Sequence, residues 1–214
     1  GRVAHESIFN IHSGEYRCPS TQQGYSGFTT WTRGLSWAMS GFPEELECLD
    51  LMDDSALDKE SILPEFLNAA KATCDFYIEN TPTDGIPYWD TGAPGLVHMG
   101  DYLDRPAEPK NDYEPVDASA AAIGAQGLLR LGKYLGENGD GKRYWQAGLT
   151  VLNRLLDDLY VCQQPEHQGL LLHSIYHQPN GWDYVPEGSR IAYGEACMWG
   201  DYHLREVALL ATKL

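Results

Sequence analysis

"DASAAAIGAQGLLRLGKYLG" (residues 117–136) and "DGKRYWQAGLTVLNRLLDDLY" (residues 140–160) decide the fold class. The first opens on Asp117, a residue suited to accept backbone N–H groups at a helix start, and ends on Gly136, suited to a helix stop. In the second, Trp145, Leu149, Leu152, Leu156 and Leu159 recur at three- and four-residue steps. That spacing predicts one apolar helical stripe, with Asn153, Arg154, Asp157 and Asp158 off it. Two helices joined by a short Gly- and Asp-rich link form a helical hairpin.

Working outward, "ILPEFLNAAKATCDFYIEN" (62–80) carries Leu63, Phe66, Leu67, Ala70, Cys74 and Tyr77 at helical spacing, with Pro64 near its first turn. "MWGDYHLREVALLATKL" (198–214) reads as a further helix. The stretch from Thr30 to Phe42 reads as another, ended or kinked by Pro43. Long loops at 81–115 and 161–198 separate these helices, and loops of that length are uncommon unless they serve a function. Helices alternating with such loops predict an all-α array of hairpins, not a sheet protein.

The 214 residues carry 15 Lys+Arg against 31 Asp+Glu, a net charge of -16. A field of that sign repels nucleic acid and anionic membranes, so neither is expected as a partner. No run approaches the ~20 apolar residues that span a bilayer. The five cysteines are scattered, without a CxxC, and read as reduced thiols packed mostly as small apolar residues. His173 and His177 lie four apart in a loop, where that spacing does not converge on a metal; no metal or cofactor is expected.

The most unusual segment is "TTWTRGLSWAM" (30–40), which sets Arg33 between Trp31 and Trp37. At ~100° per residue, Trp31, Leu35, Ala38, Met39 and Phe42 fall on one side of the helix. Arg33 and Trp37 share the other with Thr30 and Ser40. The pair admits two readings: a local cation–π contact, or a binding face where tryptophan stacks on a sugar and arginine meets a carboxylate. Trp89, Trp182 and Trp199, with Tyr88, Tyr176 and Tyr184, extend the aromatic content into the loops.

These segments together resemble a known family. "QGYSGFTTWTRGLSWAMSGF", "DGIPYWDTGAPG", "DASAAAIGAQGLLRLG", "GLLLHSIYHQPNGWD" and "WGDYHLREVALL" are similar, in that order, to the unsaturated glucuronyl hydrolases of glycoside hydrolase family 88. The resemblance implies an (α/α)6 barrel, of which residues 1–214 form the C-terminal portion of a single catalytic domain. It also implies removal of a 4,5-unsaturated uronic acid from the non-reducing end of lyase-generated oligosaccharides. In that chemistry an aspartic acid protonates C4 of the vinyl ether, and water activated by the same or a partner aspartate adds at C5. The hemiketal formed then opens, unlike the displacement at ordinary glycosidases.

By the same resemblance the substrate-binding residues are His5, Gln23, Trp31, Arg33, Trp37 and Tyr176. His5 matches a site histidine and Gln23 the glutamine of the QGY motif. Trp31, Arg33 and Trp37 match the Trp-x-Arg-x-x-x-Trp of the sugar site, with Arg33 near the uronate carboxylate. Tyr176 matches a tyrosine near the outer subsite. The family's acid/base aspartates correspond to positions before residue 1, which leaves the catalytic residues unassigned and implies that this stretch alone is inactive. Asp90, Asp117, Glu195 and Asp201 read as structural carboxylates. Residues 96–116 form an apparent insertion at the cleft rim. An unsaturated rhamnogalacturonyl hydrolase or a non-catalytic carbohydrate-binding helical domain are the alternatives. A partial barrel would expose inner helices and favour a homodimer, and the compartment is left open between cytoplasm and periplasm.

Overall fold

The computed structural model describes residues 1–53 and 58–213. Five α-helices carry the fold among them: α1 (Thr32–Leu51), α2 (Lys59–Glu79), α3 (Ala118–Tyr134), α4 (Lys142–Leu155) and α5 (Met198–Ala211). The pairs α1–α2 and α3–α4 pack as hairpins, and α3 also packs against α1 and α5. A two-stranded antiparallel hairpin, β1 (Glu6–Phe9) with β2 (Tyr16–Ser20), precedes them. The apolar-periodicity reading missed this hairpin, because its strands are short and largely exposed and lack an alternating apolar face.

Helix α3 is central because its side chains are small. Nearly every residue from Ala118 to Gly132 is buried, and the run of Ala and Gly lets neighbouring backbones approach on several sides. A Cβ on Gly127 would collide with the Met39 carbonyl of α1, and one on Gly132 would press on the Trp145 backbone of α4. Asp117 caps the helix as expected, its Oδ1 accepting the N–H groups of Ser119 (3.0 Å) and Ala120 (3.3 Å).

Two expectations change. Helix α1 does not end at Pro43 but runs through it to Leu51. Proline cannot donate to the carbonyl four residues back, and that carbonyl, Met39 O, is the one that Gly127 faces. Burial against α3 therefore holds the helix together across the proline. The buried face of α4 is also rotated: Tyr144, Gly148, Val151, Leu152 and Leu155 face inward, while Leu149 and Leu156 are exposed. Gly148 explains the shift, since it lets Leu129 of α3 pack directly against the α4 backbone, and an apolar count gives glycine no weight. Of the free cysteines only Cys74 is buried, whereas Cys18 and Cys48 are exposed.

The α1–α3 crossing yields a paired prediction. Gly127→Ala should destabilise the protein by roughly 1–3 kcal/mol through overpacking. Gly41→Ala, in α1 with open space around its Cβ position, should stabilise by about 0.5–1 kcal/mol through helix propensity. Urea denaturation of both variants checks the contrast; equal effects would mean that α1 and α3 do not approach as described.

Candidate functional site

The start of α1 is fixed by the first long loop. The Thr32 N–H donates to Trp89 O (3.1 Å) and its hydroxyl to Tyr88 O (2.8 Å), while the Thr91 N–H donates to Thr30 O (3.0 Å). Asp90, wholly buried, accepts the N–H groups of Tyr25 and Gly92, both at 2.9 Å. The GIPYWD segment thus ties the QGY segment and the beginning of α1 into one block. Glu114, from the apparent insertion, accepts the Trp89 indole N–H at 2.7 Å and holds that block from behind.

Arg33 sits at its centre and is only 3% exposed. Its Nη1 donates to Ile175 O (2.6 Å), and its Nη2 donates to Tyr176 O (2.8 Å) and Gln23 Oε1 (3.2 Å). Its Nε lies 3.8 Å from Asp117 Oδ2. The guanidinium carbon lies 5.0 Å from the Trp31 ring centroid and 4.8 Å from that of Trp199. His5 packs on Trp31 at 4.7 Å, and its Nδ1 lies 3.0 Å from the Thr21 hydroxyl. His5, Gln23, Trp31 and Arg33 are therefore contiguous, and the Tyr176 backbone joins them.

Trp37 is the exception. The helical-wheel reading pairs it with Arg33, but its ring instead packs edge-on against His203 of α5 at 5.1 Å and is 42% exposed. The aromatic partners of Arg33 are Trp31 and Trp199. Trp31 stands at the N-cap position of α1, before the helical periodicity starts. There the ring turns toward the guanidinium instead of following the core stripe. Trp199, on α5, has no sequence proximity that could have flagged it. Its indole N–H donates to Ser119 Oγ (3.0 Å), which itself donates to Asp117 Oδ1 (2.5 Å). Asp117, Ser119, Trp199 and Arg33 thus close a ring of contacts between three helices.

The other carboxylates considered from sequence are engaged in structure. Asp201 accepts the N–H groups of Leu170 (2.9 Å) and Leu171 (2.8 Å), and Glu195 lies 3.4 Å from His167. No group of His, Cys, Asp and Glu suited to a metal occurs among the described residues.

His173 joins the second long loop to the site. Its carbonyl accepts the Ala118 N–H at 2.8 Å, its N–H donates to Gly194 O at 3.2 Å, and its φ is 62°. The ring Nδ1 lies 2.6 Å from Tyr193 O. Burial, the largest influence, lowers the His173 pKa below its ordinary 6.5, partly opposed by the Tyr193 hydrogen bond. His203 shifts the same way, again by burial. A histidine with a lowered folded pKa binds fewer protons than its unfolded counterpart, so stability rises with pH through this range.

Two predictions follow from this geometry. The contribution of His173 and His203 should be full above about pH 6.5 and should decline as pH falls below it. The more exposed His167 contributes in the opposite sense, because its hydrogen bond to Gly169 raises its pKa. His173→Asn, which tolerates positive φ, should flatten the low-pH decline in a series of thermal melts. Arg33→Lys keeps the charge but removes the fork that holds two loop carbonyls, and should cost roughly 3 kcal/mol. Limited proteolysis should then cut first near residues 175–190 while helical circular dichroism persists.

No family model matches the chain. It is 29% identical over 206 residues to an unsaturated glucuronyl hydrolase of Formosa agariphila, covering 95% of this chain and 42% of that protein. An unsaturated chondroitin disaccharide hydrolase of Streptococcus pyogenes is 27% identical over 206 residues, covering 96% and 43%. The crystal structure of the unsaturated glucuronyl hydrolase of Bacillus sp. GL1 superposes with a TM-score of 0.71 at 26% identity, over 98% of this chain and 46% of that one. The chain spans less than half the length of the curated relatives it matches. Its mostly helical fold matches part of theirs, in keeping with an α/α-barrel type of architecture. Across nearly its whole length, the chain is a homologue of the unsaturated glucuronyl hydrolases.

Proposed function

We propose that this chain forms the saccharide-binding side of a glycoside hydrolase that removes 4,5-unsaturated uronic acid from the non-reducing end of lyase-generated oligosaccharides. The observation that carries the reading is the contiguous cluster of His5, Gln23, Trp31 and Arg33 at the start of α1. Its half-buried members, Gln23 and His5, are the side chains open to a saccharide, and the amide suits sugar hydroxyls, while Trp31, buried between His5 and Arg33, supports them. Solved relatives hold saccharides of this kind: one is in complex with dGlcA-Glc-Rha-Glc, and one from Streptococcus agalactiae with dGlcA-GalNAc6S.

The burial of Arg33 refines its part. With Nη1 and Nη2 bonded to two loop carbonyls and Gln23, the guanidinium acts on a uronate chiefly through its positive charge and by orienting Gln23 and the Tyr176 loop. Gln23, half-buried, then presents its amide N–H groups to the ligand, because its Oε1 is taken by Arg33. His5 and Trp31 flank it. Trp37 would contact a saccharide only beyond this cluster, beside His203.

Hydration of the vinyl ether needs a carboxylic acid that can give its proton and a carboxylate that can take one from water. Asp90 and Asp117 are both wholly buried, and both serve as backbone acceptors. Neither is open to a ligand, and we propose, on the family resemblance, that the acid/base pair lies outside the residues described.

Incubation with lyase-generated unsaturated disaccharides tests both parts. Saturable binding should be seen by calorimetry, without loss of the absorbance of the conjugated double bond. Arg33→Ala should weaken binding roughly tenfold or more, and Trp145→Phe, remote from the cluster, should leave it unchanged. Binding unaffected by Arg33→Ala would overturn the site. Turnover by the chain alone would overturn the assignment of the acid and base elsewhere.

A further inference from the structure

The turn that carries Gln23 is built on one hydroxyl. Thr21 Oγ accepts the Gly24 N–H at 2.8 Å and lies 3.0 Å from His5 Nδ1. The Gln22 N–H donates to the same ring nitrogen at 3.3 Å. Gly24 is buried where the turn closes, and a Cβ on it would meet Thr21 Oγ at 2.8 Å and Asp90 Oδ2 at 2.9 Å. The His5 ring rests on Trp31, with centroids 4.7 Å and planes 43° apart, which fixes its plane.

These contacts decide where the His5 proton sits. A backbone N–H can only donate, so Nδ1 must offer Gln22 a lone pair. The Thr21 oxygen already accepts from Gly24, which leaves its own hydrogen to point at Nδ1. With a proton on Nδ1, hydrogen would face hydrogen at both contacts. The neutral imidazole therefore carries its single proton on Nε2. That nitrogen makes no hydrogen bond among the described residues, although the ring is only half-buried. A chain of donors thus runs from the Gly24 N–H through the Thr21 hydroxyl to His5 and leaves the cluster at Nε2–H. Each bond in it polarises the next in the same sense.

We infer that Thr21 is a positioning residue: it holds His5 as the Nε2–H tautomer, so that His5 meets a saccharide as a hydrogen-bond donor. The same hydroxyl sets the turn under Gln23, whose amide N–H groups face the ligand once Arg33 takes its Oε1. His5 and Gln23 then both present donors, and the group they select is an acceptor oxygen of the sugar. An Nε2–H imidazole cannot take a proton from water on that side, so His5 binds and does not serve as the base of the hydration. The donor role rests on the saccharide-binding reading above, whereas the tautomer is a property of the free protein.

Proton–nitrogen correlation NMR of the chain with isotope-labelled histidine, near pH 7.5 and above the ordinary histidine range, reads the tautomer directly. His5→Phe identifies the His5 signals by their loss. Native His5 should show a pyridine-like Nδ1 and a pyrrole-like Nε2; the reverse pattern, or the averaged shifts of a mixture, overturns the tautomer. Thr21→Val should move the two nitrogens toward a common average, and Thr21→Ser should restore them. In calorimetry with an unsulfated unsaturated uronate–hexosamine disaccharide, Thr21→Val and His5→Phe should each weaken binding roughly three- to tenfold, with Thr21→Ser at native affinity. Helical circular dichroism should be unchanged in all three variants, since both residues precede the helices. Native shifts and native affinity in Thr21→Val would overturn the positioning role. If the native chain shows the Nε2–H tautomer yet binds no disaccharide, the saccharide reading fails and the donor role falls with it. Disaccharide binding with the opposite tautomer overturns the inference alone and leaves the saccharide site standing.

Discussion

The guanidinium of Arg33, a residue only 3% exposed, has to find its partners inside the protein, and they come from three separate segments. Ile175 and Tyr176 supply carbonyls, Gln23 supplies an amide oxygen, and Asp117 supplies a nearby counter-charge. An uncompensated buried charge is costly, so each partner is constrained by the need to satisfy it. The start of α1, the cap of α3 and the second long loop are therefore positioned by one side chain. Trp31 and Trp199 cover it and keep water out.

Helix α3 makes that convergence possible. Its small side chains bring α1, α4 and α5 close, so that Asp117 at its start can face both Arg33 and the Ser119–Trp199 hydrogen bond. A helix packed with leucines at the same positions would hold its neighbours farther away, and the contact ring of Arg33, Asp117, Ser119 and Trp199 would open. The core and the site thus rest on the same packing. The loops gain rigidity from carboxylates: the buried Asp90 and Glu114, and the half-buried Asp183 and Asp201 (the last on α5), each accept from backbone or indole N–H groups. These contacts explain how long segments without regular structure stay ordered beside the cluster, and why an acidic chain has so few carboxylates to spare there.

The residues themselves determined the five helices, the cap at Asp117 and the importance of Arg33, because each depends on local spacing or local hydrogen bonding. The resemblance in the QGY and Trp-x-Arg segments also picked out His5, Gln23 and Trp31, which lie together in the structure. Only the tertiary structure decided the rest. Trp37 turned to His203 because α5 lies beside it, and Trp199 reached Arg33 because α3 draws α5 inward. The continuation of α1 through Pro43 and the rotated face of α4 were settled at glycines of α3 and α4, where a missing side chain lets a neighbouring backbone approach. Periodicity registers what a side chain adds; it has no measure for contacts that exist because a side chain is absent, or for partners more than a hundred residues away.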